Sequence, residues 1–206
     1  MIKIWGWIGS SNVQKVLWCC DELAVEYELE DHGWPYAGYK EAPYLALNPN
    51  GLVPTIQDGD FVLWESNSVL RYLSEQYGNG RLMPSTPELR ASANRWLDWQ
   101  LTTMGRLVTP VYRAFIRTRP ENRQPELIHT DSAAAESGWR ILDRYLLGSD
   151  YVGGQTFSIG DIPLGILAHR WFSLPIEHQG LAAVRAWYER LSHRPAYQKH
   201  MGRPLI

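Results

Sequence analysis

Cysteine is nearly absent from this chain: 206 residues carry two, adjacent at Cys19 and Cys20. A disulfide framework is excluded, and the pair lacks the C-x-x-C spacing of a dithiol redox centre. Long apolar runs are also missing. No window approaches the roughly 18 residues that a spanning helix needs, and Met-Ile-Lys-Ile-Trp-Gly at the start has no signal-peptide core, so a cytoplasmic protein is expected. Charge of one sign is not in excess. Twenty basic residues stand against 22 acidic ones, a formal net charge of −2, which gives no electrostatic case for nucleic acid or an anionic membrane as partner. None of the six histidines stands at metal-ligand spacing from a cysteine or another histidine, so no metal is expected. What is abundant is apolar and aromatic surface, 45% of the residues with ten Trp and eleven Tyr, ample for one large or two small packed cores. A small polar ligand suits such a chain.

Strand and helix patterns alternate over residues 1–79. Ile2 to Trp5 reads as a strand, and Asn12 to Leu23 as a helix with Val13, Val16, Leu17, Cys20 and Leu23 on one face. That pattern buries Cys20 and leaves Cys19 at least half exposed. Val25 to Leu29, alternating with acids, reads as a strand pairing with the first. A Gly, Pro and aromatic loop follows (His32 to Lys40), then a short helix near Tyr44 to Leu47. Pro54 introduces a further strand, and Asp58-Gly59-Asp60 turns it into Phe61 to Trp64 as an antiparallel hairpin. A helix carrying Val69, Leu70, Leu73 and Tyr77 completes the set. The order β-α-β-α-β-β-α resembles a thioredoxin-like domain. Residues 80–87, with Met-Pro-Ser-Thr-Pro, read as a linker. From 88 to 206 only helical patterns remain: one long helix marked by Ala93, Trp96, Leu97, Leu101, Met104, Val108 and Val111, and a second marked by Trp139, Leu142, Tyr145 and Leu146. The expected fold is therefore an α/β domain followed by an all-α domain. Within the latter, Phe157-Ser158-Ile159-Gly160-Asp161-Ile162 reads as a capping box, with Ser158 at the N-cap, Asp161 reaching back and Phe157 stapling Ile162.

Asn48 to Gln57, NPNGLVPTIQ, sets a proline at the mouth of a strand, where its missing N–H removes a ladder bond. A cis Val53-Pro54 bond would turn Val53 outward, its N–H and C=O open to the main chain of a short peptide, as in strand addition. A trans proline on an edge strand is the plainer reading of the motif alone. One hairpin later, in WESNSVLRYL, Ser66 reads as the N-cap of a helix whose free N–H groups suit a carboxylate, while Glu65 suits an ammonium. Together these describe a site for a peptide with a free amino-acid end.

On Asn48-Pro49, Val53-Pro54, Glu65-Ser66, Tyr72-Leu73 and the Ser158 to Asp161 cap, the whole chain resembles the cytosolic glutathione transferases, a two-domain fold of a thioredoxin-like glutathione-binding domain and an all-helical second domain. The resemblance implies that Val53 and Pro54 hold the cysteinyl backbone of glutathione, that Glu65 and Ser66 hold its γ-glutamyl end, and that Lys40, with Asn50, faces the glycyl carboxylate. It implies a homodimer.

Glutathione's thiol resembles free cysteine, with a pKa near 8.5, and an enzyme that uses it as a nucleophile must lower that value. The loop after the first strand, Gly9-Ser10-Ser11-Asn12, carries hydroxyls where a dithiol oxidoreductase carries cysteine. A serine hydroxyl donated to the sulfur at a helix N-terminus stabilises the thiolate. By resemblance to serine-type transferases of the theta and zeta kind, Ser10, six residues before Val16, is the expected activator. Ser11 and Asn12 remain candidates, Ser11 also as a helix cap. No tyrosine lies in this first strand and loop. For an apolar electrophile, Trp7, Trp34, Met104, Val108 and Tyr112 are the candidate pocket, although Met104, Val108 and Tyr112 form a helical stripe of the kind usually found in a core. Arg113, Arg117, Arg119 and Arg123 either steer an acidic electrophile or form a solvated face. The rival function is a non-catalytic binding scaffold on the same fold. A third, thiol-disulfide exchange through Cys19 or Cys20, would lose its activity with Cys20→Ala.

Overall fold

The structure, a computed structural model, describes residues 1–33, 35–178 and 180–202. It divides into two compact units, Met1–Met83 and Pro84–Ile206.

The first unit contains β1 (Ile2–Gly6), α1 (Ser11–Leu23), β2 (Tyr27–Asp31), α2 (Ala42–Leu47), β3 (Thr55–Asp58), β4 (Phe61–Trp64) and α3 (Ser66–Tyr77). The sheet runs β2-β1-β3-β4. β1 and β2 are parallel with Ile2 opposite Tyr27, β3 is antiparallel to β1 with Ile56 opposite Ile4, and β4 closes the hairpin with Phe61 opposite Asp58. Gly59, with φ 59°, takes the left-handed turn position that a glycine adopts without steric cost.

Two expectations are corrected here. The second strand begins at Tyr27, not Val25, because the end of α1 consumes the preceding residues. Ala24 turns left-handed and the Val25 N–H bonds back to the Cys20 carbonyl at 2.9 Å. Cys19 is also as buried as Cys20. A helix with one covered stripe would leave Cys19 wet, but α1 packs against α3 and sets Val13 against Gly6 of β1. Lys15, Trp18 and Cys19 are buried together with the apolar stripe.

The second unit contains α4 (Pro87–Trp99), a π-helical turn (Gln100–Met104), α5 (Gly105–Ile116), a 3₁₀ turn (Pro120–Asn122), α6 (Pro125–Leu146), α7 (Asp161–Phe172), α8 (Ala182–Ser192) and α9 (Pro195–Met201). The single long helix expected across Ala93 to Val111 is thus broken at its middle. The extra residue of a π turn shifts the helical phase, so Gln100 turns inward at 5% exposure while Leu101, expected on the apolar stripe, is 52% exposed. Met104, at the end of the turn, and Val108 and Val111 beyond it return to the core.

Asp161 is fully buried and fastens three segments. One carboxylate oxygen accepts from the Val152 N–H at 2.9 Å and from the Trp187 indole at 2.8 Å. The other accepts from the Ser158 N–H at 2.8 Å and the Ser158 hydroxyl at 2.9 Å. Asp161 reaches back as the capping-box pattern requires, but the helix starts later than expected. Asp161 is the first residue of α7 and Gly160 its N-cap, so the Ser158 hydroxyl donates to Asp161 instead of accepting from the helix. Phe157 lies against Tyr151 and beneath the Arg194 guanidinium.

Candidate functional site

Three connections of the first unit meet at one place: the start of α1, the segment between α2 and β3, and the junction of β4 with α3. Asn12, Asn48, Asn50, Leu52, Val53, Pro54, Trp64, Glu65 and Ser66 line a shallow cavity of about 50 Å³ there. Of the residues singled out in the sequence, the cavity thus gathers Asn12, Asn50, Val53, Pro54, Glu65 and Ser66.

Local chemistry explains the shape. Asn48 is 2% exposed and works as a buried clamp. Its amide donates to the Leu52 carbonyl at 2.8 Å and to Thr55 Oγ1 at 3.1 Å, while its oxygen accepts from the Asn50 N–H and side chain, both at 3.1 Å. Tyr44 adds a bond to the Leu52 carbonyl at 2.6 Å, and burial holds its phenol above the usual range, so it stays protonated at neutral pH. The Val53-Pro54 bond is cis, and Val53 precedes Thr55, the first residue paired in the sheet.

Glu65 joins β4 to α3 in a single residue, with φ 71° and ψ 102°. A non-glycine residue at positive φ is sparsely populated and costs on the order of 1–3 kcal/mol. Sequence reasoning placed Ser66 at the N-cap, but the structure gives that place to Glu65 and makes Ser66 the first helical residue. With no free N-cap to bond, the Ser66 hydroxyl turns elsewhere, to Asn12 Oδ1 at 3.4 Å. It also accepts from the Lys15 amine at 3.3 Å.

At the head of α1 the assignment of the cap also changes. Ser10, not Ser11, is the N-cap residue, and its side chain makes no capping bond to the helix. Its carbonyl accepts the first intrahelical bond, from the Gln14 N–H at 2.8 Å, while its hydroxyl is not used as a cap. Ser11 is the first helical residue.

Lys40 is exposed. Its ammonium lies over the Tyr39 ring, 5.6 Å from the centroid, and 3.0 Å from where a Cβ on Gly51 would stand. Gly51, at φ 56°, therefore both makes the turn and leaves room for Lys40 beside the cavity's Asn50 and Leu52.

The proposed electrophile wall fares differently. Trp7, at the end of β1, is buried, and Trp34 lies outside the described residues. Met104, Val108 and Tyr112 are 0, 0 and 3% exposed. Met104 packs on Gly138 of α6 and Tyr112 lies under the Arg170 guanidinium at 4.3 Å. In this structure the stripe is core, which corrects its reading as a wall open to ligand. Arg123 is not a free steering charge either, since it donates to the Phe115 and Thr118 carbonyls. A larger cavity of about 780 Å³, bordered by Phe115, Ile128, His129 and Glu136, includes none of the site residues gathered in the first unit.

The two cysteines take no part in this site. Burial pushes Cys20 up to about 12 and Cys19 well above the ordinary thiol range, leaving both protonated and inert at neutral pH.

Residues 9–76 match the family model described as the glutathione S-transferase N-terminal domain. Glutathione S-transferase GstB of Escherichia coli strain K12 is 35% identical over 201 residues, covering 97% of each chain. The chain belongs to the glutathione S-transferase family. Its structure is similar to that of the theta class glutathione S-transferase of the citrus canker pathogen Xanthomonas axonopodis pv. citri, solved with glutathione bound, with a TM-score of 0.94 and 40% identity over 100% of this chain and 99% of that one. Glutathione S-transferase 3 of Zea mays is 29% identical over 96% of this chain and 92% of its own. The glutathione S-transferase fold accounts for both units, the thioredoxin-like sheet with its helices and the all-helical remainder.

Sequence reasoning does not single out Asn48, Leu52 and Trp64 of the cavity lining, nor Lys15, which bonds to Ser66. Asn48 stands in the sequence as part of an Asn-Pro pair, although an Asn before a tight turn commonly bonds its own backbone two residues on. Trp64 reads from the sequence as a strand residue. Lys15 left no signal, because a lysine on a helix is ordinarily solvated.

Proposed function

We propose that the chain binds glutathione across its first unit and, through the Ser10 hydroxyl, holds the sulfur as thiolate for attack on an apolar electrophile. The observation that carries the reading is the convergence of Val53-Pro54, Glu65 and Ser66 on one cavity beside a helix whose N-cap serine keeps its hydroxyl out of the cap. The likeness to a relative solved with glutathione bound supports it.

In this reading the main chain of Val53 pairs with the cysteinyl residue, Ser66 and the first turn of α3 receive the γ-glutamyl carboxylate, Glu65 meets the ammonium, and Lys40 and Asn50 face the glycyl carboxylate. A cavity of about 50 Å³ suits one polar end of the tripeptide, not all of it. The bound thiol gives its proton to solvent, the sulfur lone pair forms a bond to an electrophilic carbon, and a leaving group departs or a double bond takes up a proton. Lowering the thiol pKa by two units needs about 2.7 kcal/mol. A hydrogen bond to a charged acceptor contributes about 1.5–3 kcal/mol, and the 13-residue α1 adds about 0.3–1 kcal/mol by its dipole. The two are sufficient without a metal.

The test is an ultraviolet difference titration of bound glutathione against pH. The native protein is expected to show thiolate with an apparent pKa well below 8.5, and Ser10→Ala to return it by about two units toward the free value. Equal ionisation in both proteins transfers the role from Ser10 to another group in the loop, with Ser11 and Asn12 next in line.

A further inference from the structure

Lys15 is 2% exposed, an unusual place for a residue that is almost never fully buried unless its charge is engaged. It stands on α1 five residues after Ser10, and its amine donates to Ser66 Oγ at 3.3 Å and to Asn67 Oδ1 at 3.1 Å. Both acceptors lie in the first turn of α3 and are buried, at 6% and 5%. Ser66 also lines the cavity. The ammonium is therefore separated from the cavity by a single hydroxyl.

A serine hydroxyl has one proton and two lone pairs. Lys15 occupies a lone pair of Ser66, which orients the remaining proton away from the protein interior. That proton points to Asn12 Oδ1 at 3.4 Å, a long bond to a neutral acceptor that a carboxylate would displace, since charge-assisted bonds are shorter and roughly twice as strong. A carboxylate accepting from Ser66 would then have the ammonium within about 6 Å, the sum of the two hydrogen-bond lengths, in a setting that water screens poorly.

We infer that Lys15 is a positioning residue for the γ-glutamyl carboxylate of glutathione: it fixes the donor direction of Ser66 and supplies the buried positive charge behind it. The inference rests on the glutathione reading above. Through α1 it also ties the two halves of the site together, because one helix carries the serine at the thiol and the lysine behind the carboxylate. A buried lysine kept for packing alone would instead contribute equally to any ligand of the cavity.

Calorimetric titration of the full chain separates the two roles. The probes are glutathione and an analogue in which a hydrogen replaces the α-carboxylate of the γ-glutamyl group; the proteins are the parent and Lys15→Met, which keeps the length of the side chain without its charge. Lys15→Met is expected to weaken glutathione about tenfold, equivalent to about 1.4 kcal/mol, and to change the analogue less than twofold. Lys15→Arg is expected to recover most of the glutathione affinity. Equal losses for both ligands, or none for either, would overturn the inference while leaving the glutathione reading intact. No binding of glutathione by the parent overturns that reading, and the role of Lys15 with it. If Lys15→Met does not fold, the parent alone decides. The sequence has four lysines, at positions 3, 15, 40 and 199, so the side-chain nuclear magnetic resonance signal of Lys15 can be followed directly. It should move on adding glutathione and stay in place with the analogue; movement with both, or with neither, rejects the assignment.

Discussion

Glu65 carries opposite demands of stability and ligand recognition. Its positive φ is a conformation that glycine adopts freely, so Glu65→Gly relieves local strain while removing the carboxylate assigned to the glutathione ammonium. Glycine also gains entropy in the unfolded chain, which offsets part of the relief. The expected outcome is a melting temperature unchanged or raised, by no more than about 1 kcal/mol in unfolding free energy, with glutathione affinity lowered at least tenfold. A calorimetric melt paired with a binding isotherm checks both. A strong loss of stability would mean that the Glu65 side chain, not the backbone alone, holds the β4 to α3 junction. Ser66 and Asn12 lie on the other side of the same balance. Their mutual bond is long and weak, so the ligand displaces little on arrival.

The start of α7 shows how one side chain organises an element and its neighbours. Asp161 serves four donors from Val152, Ser158 and Trp187. Asp161→Ala leaves all four without an acceptor in a dry setting, and a loss on the order of 3–5 kcal/mol is expected, read by denaturant unfolding. Burial pushes the Asp161 carboxyl up to about 6 despite the four bonds. A folded-state pKa above the unfolded value means that the folded chain binds the extra proton, so this group's contribution is complete below about pH 4 and declines as pH rises through about 6. The stability of Asp161→Asn should therefore lack that decline, and comparing the two proteins between pH 4 and 7 isolates a slope of up to about 3 kcal/mol in total. In the α4 to α5 region the decisive event is the π turn. It exposes Leu101 and buries Gln100, a change of phase to which an apolar stripe in the sequence is blind, because each half of the stripe remains periodic on either side.

As a whole the molecule offers a two-unit chain without a described helix long and apolar enough to cross a membrane. The homodimer implied by the family resemblance stands as a proposal, and light scattering on the eluting protein should give twice the chain mass of 23.7 kDa. A mass of one chain would set that assembly aside without touching the site, whose described residues all lie in the first unit.

Local pattern and local chemistry determined a large part of this protein. The alternation of strand and helix signals to Tyr77, the turn at Gly59 and the Pro54 bend are written in short stretches, because each depends on residues within a few positions. For the same reason Val53, Glu65 and Ser66 were legible as candidates for one site. Tertiary structure decided what depends on distant partners. Cys19 is buried because α1 is covered by α3 and the end of β1. Ser66 lost its capping role to Glu65 and found Asn12 and Lys15, more than fifty positions away in the chain. Met104, Val108 and Tyr112 became core because α6 and α7 supply the neighbours that enclose them. Burial is the physical reason for the division: a sequence specifies which side chains can be covered, while what covers them is settled only when segments far apart in the chain meet.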